Sequence, residues 1–237
     1  DRSVSRGLGD VYKRQMVDIG KLAGKPVVAV ITSMAQPLGT HIGNALEVKD
    51  AIDVLAGRTQ GDLLEISLLL GSHMLVLAEK AKTLPEARTM LENALSSGAG
   101  LRKLAEMIAA QGGDPRVVED LSLLPQAAVK RVMRAETAGY LSAMDTTALG
   151  MAAQRMGAGR AKKSDMLDYS VGYVLHVRLG DEVTEDTPLA TLYARNEAEA
   201  EEAEKAIRKA LTIARKKPQA PKLWDAVVTA EGIIYNR

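Results

Sequence analysis

The periodicity of apolar residues changes once along this chain, across the Gly-, Asp- and Pro-bearing stretch 113–126, and that change limits the folds open to it. Before the stretch, apolar residues recur at helical spacing between capping signals. After it, short runs rich in β-branched residues are punctuated by Gly180-Asp181 and Asp186-Thr187-Pro188. Periods of 3.6 and 2 belong to different element types. The expectation is therefore a helix-rich α/β part, a linker over 114–126, and a strand-rich α+β part over 127–237.

The first part reads in order. Residues 16–23 look like the end of a helix stopped near Gly24. A valine-rich strand follows from Pro26 to Thr32, and its unbroken apolar run suits a strand covered on both faces. A helix is expected from about Ala45 to Ala56, with Val48, Ile52 and Leu55 on one face. Asp62 with Glu65 opens a long helix to about Lys82, and Thr83 with Glu86 opens another to about Leu95. A last one, Leu101 to Ala110, stops at Gly112-Gly113. In the second part, Ala127–Arg134 and Gly139–Ala143 read as strands and Thr146–Met156 as a short helix. Val171 to Tyr193 reads as a strongly curved β-unit, Glu197–Lys216 as a charged amphipathic helix, and Leu223–Thr229 as a final strand.

Composition excludes several classes. Aromatic residues make up 3% of the 237 and Phe is absent, so the core is built from Leu, Val, Ile, Ala and Met. Lys and Arg (31) balance Asp and Glu (30), so no global field steers the chain to nucleic acid or to an acidic membrane surface. No cysteine means no disulfide, no thiolate metal site and no Cys nucleophile. The longest apolar run, Leu63 to Ala78, is broken by Glu65, Ser67, Gly71, Ser72 and His73. A membrane span needs about 20 nearly uninterrupted apolar residues, so this run reads as a buried helix and the chain as cytoplasmic.

Between the first strand and the first capped helix lies Gln36-Pro-Leu-Gly-Thr-His-Ile-Gly-Asn-Ala-Leu-Glu-Val-Lys-Asp50. Pro37 and Gly39 bend the loop, and Asn44 with Glu47 has the spacing of a capping box. Spacing alone admits two readings: a capped strand-to-helix turn, or a cluster of loop carbonyls and the Asp50 carboxylate of the kind hard cations prefer. The three histidines, His41, His73 and His176, show no cleft or partner of the sort proton transfer requires. His73 reads as a core or interface residue of the Leu-rich helix. The glycines at 98–100, 112–113 and 157–159 follow helices, so they read as stops and not as phosphate cradles.

The 36–50 segment resembles the Q-P-L-G-x-x-[IV]-G-N-A-[LV]-E-V-[KR]-[DE] segment of the pyrimidine-nucleoside and thymidine phosphorylases. Further ordered stretches carry the same resemblance: Ala109-Ala-Gln-Gly-Gly-Asp114, Leu124-Pro-Gln-Ala127, Ala138-Gly-Tyr140, Met156-Gly-Ala-Gly-Arg160, Asp168-Tyr-Ser-Val-Gly172 and Lys217-Pro-Gln-Ala-Pro221. The resemblance runs from about Met16 to Thr229. It implies a fragment of a mixed-sheet α/β domain with packed helices over 16–113, followed by a small α+β C-terminal domain with a barrel-sandwich-like hairpin unit. It implies a homodimeric pentosyltransferase that uses phosphate as co-substrate to convert a pyrimidine nucleoside into free base and α-pentose 1-phosphate. It also implies a potassium ion held by the backbone carbonyls of Leu38 and His41 and by the side chain of Asp50. His41 stands where the family often has a small residue, and Asp50 where relatives have Glu, one methylene longer.

The family's K-H-S-T-G-G phosphate loop and R-x-x-x-S-K-K pyrimidine helix have no counterpart here. Catalytic and substrate-binding residues are therefore expected to lie outside this chain, and the chain alone to be inactive. Residues 1–15 match nothing in the family and read as foreign sequence. Four other readings remain. The hairpin 171–193 also resembles biotinyl- and lipoyl-type carriers, but Ala143-Met144-Asp145 has Asp where a carrier has its modified lysine. A non-enzymatic scaffold is the plainer version of that reading. A thymidine-specific phosphorylase or a phosphoribosyltransferase of the same superfamily completes the set.

Overall fold

The computed structural model describes residues 14–236. Most of the expected non-family segment, 1–13, lies outside the described residues. The chain is mixed α/β, with helices α1 (14–22), α2 (Asn44–Leu55), α3 (Asp62–Leu77), α4 (Leu84–Ser96), α5 (Ala99–Ala110), α6 (Thr146–Ala153) and α7 (Glu197–Ala210). Its strands are β1 (Ala29–Thr32), β2 (His41–Ile42), β3 (Val129–Arg134), β4 (Gly139–Met144), β5 (Gly172–Leu175), β6 (Glu182–Val183), β7 (Pro188–Ala194), β8 (Leu211–Ala214), β9 (Trp224–Val228) and β10 (Ile233–Tyr235). All recorded strand pairs are antiparallel. Among the described residues no helix is long and apolar enough to cross a membrane.

The chain divides into two compact units. One gathers residues up to 33, 64–94 and 222 onward, and holds the three-stranded sheet β1-β9-β10. Here the sequence reading needs correction. β1 was expected to be covered on both faces, yet it is only half-buried and pairs antiparallel with β9, near the chain's end. An apolar run marks a strand but does not name its partner. The Thr83 cap forms, and its return bond falls one residue back: Thr83 Oγ1 accepts from the Glu86 amide at 3.3 Å, and the Glu86 carboxylate accepts from the Lys82 amide at 2.8 Å.

The second unit comprises 34–63 and 95–221, with sheets β2-β5-β7-β3 and β6-β4-β8. Its core is aliphatic: Met133, Leu141, Leu149, Leu175, Leu189, Leu192 and Ile207 are almost wholly buried. Helix α7 lays Ala200, Ala203, Ile207 and Ala210 against β3 and β7, and these small residues let backbone approach sheet closely. Asn196 caps α7, accepting from the Glu199 amide at 2.9 Å. The expected helix 197–216 ends at Ala210. Leu211–Ala214 instead becomes β8 and pairs with β4, because β-branched Thr212 and Ile213 meet an available strand edge there. The 114–126 connector contains two short 3₁₀ turns, Pro115–Val118 and Leu121–Leu123, capped by Asp114 and Asp120.

Candidate functional site

The 36–50 loop is built from the two-residue strand β2 and the start of α2. In β2, His41 faces Val174 and Ile42 faces Tyr173. Two glycines make this pairing possible. Gly43 (φ 138°) and Gly172 (φ 148°) sit where a Cβ would meet Val171 O at 2.4 Å and Ile42 O at 2.1 Å, respectively. Only glycine permits both the positive φ and the close approach. These are the glycines of the I-G-N-A and S-V-G stretches, so two motifs far apart in sequence serve one contact.

The pairing also orients the backbone. The Thr40 carbonyl accepts from the Leu175 amide at 2.8 Å, which makes Thr40 and Leu175 a hydrogen-bonded pair. The alternation of antiparallel ladders then places His41 opposite Val174 as a non-hydrogen-bonded pair. Because β2 is the edge of its sheet, the His41 N–H and C=O point away from β5.

Asp50 stands beneath this edge, 4% exposed. Its Oδ2 lies 2.6 Å from where a Cβ on Gly39 would be, so the missing side chain at Gly39 is what lets this carboxylate reach the loop. Its Oδ1 lies 3.4 Å from His41 Nδ1, which also contacts Thr40 Oγ1 at 3.0 Å. The Lys49 ammonium, a donor only, is 3.5 Å from His41 Nε2, so Nε2 accepts and the ring proton sits on Nδ1. Burial pushes the His41 pKa down and Lys49 pushes it further, against the opposing pull of Asp50 and Asp53. The imidazole facing Asp50 is therefore neutral at pH 7. Lys49 and Arg58 instead converge on Asp53, at 3.0 and 2.7 Å. Burial raises the Glu47 pKa, and the Asp50 charge adds to that rise.

A buried carboxylate met by a neutral ring, beside an outward-facing backbone carbonyl, suits a hard cation that brings the missing charge. Leu38 O accepts from Arg178 Nη2 at 3.3 Å and keeps its second lone pair. The three expected ligands belong to one loop-and-helix unit and are all oxygens, the donor type that hard cations take. No cluster of three or more His, Asp or Glu side chains poised for a metal occurs among the described residues.

Other expectations fall elsewhere. Asn44 does not cap α2: Gly43 holds the cap position without a side-chain bond, and Asn44 Nδ2 donates to Ala158 O at 2.9 Å. The side chain reaches a long-range partner in place of the first-turn amides. Asp145, at the carrier-lysine position, caps α6 by accepting from the Ala148 amide at 2.9 Å. His73 Nε2 is buried without a hydrogen-bond partner, and burial holds its pKa down. His176 contacts Thr191 Oγ1 at 2.7 Å. The residues that sequence reasoning missed are Gln36, Asp62 and Arg178. Arg178 donates to Pro37 O at 2.7 Å and to Asp62 Oδ2 at 2.5 Å. No local spacing could have found a contact between residues 141 positions apart.

Residues 140–214 match the family profile described as the pyrimidine nucleoside phosphorylase C-terminal domain. The pyrimidine-nucleoside phosphorylases of Geobacillus stearothermophilus and Bacillus subtilis are each 48% identical over 184 residues, covering 78% of this chain and 42% of the relative. That of Staphylococcus aureus (strain USA300) is 43% identical over 199 residues, covering 84% of this chain and 46% of the relative. The chain spans less than half the length of these curated relatives.

Proposed function

The chain belongs to the pyrimidine-nucleoside phosphorylase family, and from that premise we propose that it forms part of an enzyme cleaving the N-glycosidic bond of a pyrimidine nucleoside with phosphate. The observation that carries this reading is the 48% identity across 184 residues to enzymes bearing that name. In the reaction, a phosphate oxygen bonds to the anomeric carbon as the C–N bond breaks, and the bonding pair leaves with the base. The products are free base and α-pentose 1-phosphate. Such a reaction demands phosphate held beneath the anomeric carbon and stabilisation of charge on the departing base.

This chain would contribute the cation-binding edge of that site. The carbonyls of Leu38 and His41 and the carboxylate of Asp50 would hold a potassium ion. When bound, that ion would order the neighbouring phosphate loop electrostatically and would not activate water. The groups touching phosphate and pyrimidine would come from sequence beyond these residues. In this reading 16–113 is part of the phosphorylase domain and 127–237 is the C-terminal domain. The antiparallel β5–β7 pair would be the centre of its barrel-sandwich-like unit. The working enzyme would be a cytoplasmic homodimer.

Joining the N-terminal part of the Geobacillus stearothermophilus relative to residues 16–237 tests the reading. The hybrid should release uracil or thymine from nucleoside in a phosphate-dependent, potassium-stimulated reaction. A folded hybrid with no such activity sinks the functional assignment. Asp50→Ala in the hybrid should raise the potassium concentration needed by on the order of tenfold or more. Unchanged potassium activation would refute the ligand set.

A further inference from the structure

We propose that Arg178 is a positioning residue that presets the 37–39 backbone of the candidate cation loop, with Gln36 and Asp62 holding it in place. Its guanidinium makes a fan of contacts to three successive carbonyls. Nη1 reaches Pro37 O at 2.7 Å and Gly39 O at 3.5 Å, and Nη2 reaches Leu38 O at 3.3 Å. The same Nη2 donates to Asp62 Oδ2 at 2.5 Å, which neutralises the guanidinium charge beside the loop. Gln36 closes the ring: its Oε1 accepts from the Leu179 amide at 2.9 Å and its Nε2 donates to Asp62 Oδ2 at 3.2 Å. The Arg178 amide in turn donates to Asp181 Oδ2 at 2.7 Å, which pins the arginine's own backbone.

Successive peptide carbonyls in a turn repel one another when they converge, and a loop carrying proline and glycine has no regular ladder to hold it. A planar cation with five donors in a fixed fork is suited to gather such oxygens. Lysine, a single point charge on a flexible stem, cannot reach three carbonyls and a carboxylate at once. The consequence is preorganisation: the Leu38 carbonyl is placed before any ion arrives, so the ion does not bear the cost of ordering the loop. Arg178 lies just beyond β5 (Gly172–Leu175), so the segment that leaves the partner strand of β2 carries the arginine that shapes the residues before β2.

The ion-binding half of this inference rests on the cation reading of Leu38, His41 and Asp50; the loop-ordering half does not. Amide hydrogen exchange of residues 34–43 is compared in the 237-residue chain and its variants in buffer without potassium, followed by titration with thallium(I) as a potassium surrogate. Arg178→Gln and Arg178→Lys should both speed exchange in 34–43 by on the order of tenfold, as expected for loss of a charge-assisted hydrogen bond. Exchange in β7 should not change. Both variants should weaken thallium binding. Asp50→Asn should abolish thallium binding. Wild-type exchange in Arg178→Gln, or complete restoration by lysine, overturns the proposal. If Arg178→Gln also loses β7 protection, Gln36→Ala decides: faster loop exchange supports the proposal, and unchanged exchange defeats it. A parent chain that binds no thallium, with a loop that still loosens in Arg178→Gln, upholds the positioning role and refutes the cation reading alone.

Discussion

Gly172 and Gly43 show how one atom decides whether β2 can pair with β5. A Cβ on Gly172 would stand 2.1 Å from Ile42 O and 2.9 Å from the Gly43 Cα, both of them backbone atoms and neither the end of a flexible side chain. Gly172→Ala is expected to destabilise the chain by about 3 kcal/mol or more, from a strained positive φ together with a backbone clash. A urea titration followed by circular dichroism measures this, and a midpoint equal to that of the parent would refute it. Gly150, which has open space around its Cβ position, supplies the contrasting control. The motif letters were visible beforehand, but their reasons were not. Asn44 has the spacing of a cap, yet it bonds to Ala158, 114 residues away. The Asp50 carboxylate reaches the loop because Gly39 leaves it room.

Helix α7 and strand β8 illustrate where periodicity stops being informative. The Ala200–Ala203–Ile207–Ala210 stripe marks the helix clearly, and Leu211 and Ile213 continue an apolar pattern that either period could absorb. The β4 edge settles the matter by offering hydrogen bonds to Leu211–Ala214. On the sheet side of α7, Glu204 ties helix to sheet: it accepts from Arg131 Nε on β3 at 2.7 Å and from Arg208 Nη2 at 2.8 Å. Burial raises its pKa, but the hydrogen bonds from Arg208 and Arg131 outweigh that and leave it lowered. A carboxylate with a lowered folded-state pKa contributes stability above its unfolded pKa and loses it as pH falls through the folded value. Glu204→Gln is accordingly expected to cost about 1 kcal/mol at pH 7, discounted for the partial exposure of both arginines. That deficit should shrink as the pH is lowered below the ordinary glutamate pKa. Denaturant midpoints at pH 7 and in the acid range check this, and a deficit that persists unchanged in acid would contradict it.

The connectivity of the whole chain is what a linear reading could not supply. β1, from the beginning of the described residues, pairs with β9 from their end, and β10 extends the same sheet. A chain cut after Pro221 would leave β1 without its recorded partner. The expected result is loss of hydrogen-exchange protection at Ala29–Thr32; retained protection there would show that β1 is held by other contacts. Catalytic competence belongs to the same level. The chain covers 42 to 46% of the length of its curated relatives. The purified chain is expected to release no uracil or thymine from nucleoside and phosphate, and detectable phosphorolysis would overturn this. Composition and local pattern were enough to establish an aliphatic core, most helix positions, the change from helix-rich to strand-rich halves, and the family, because propensity, capping and motif spelling act over a few residues. Strand partners, the orientation of the His41 carbonyl, the burial of Asp50 and the grip of Arg178 on the loop were left to long-range packing. Those features depend on which backbone edges and charges meet beyond the reach of a local pattern, as β1 with β9 and Arg178 with Pro37 do.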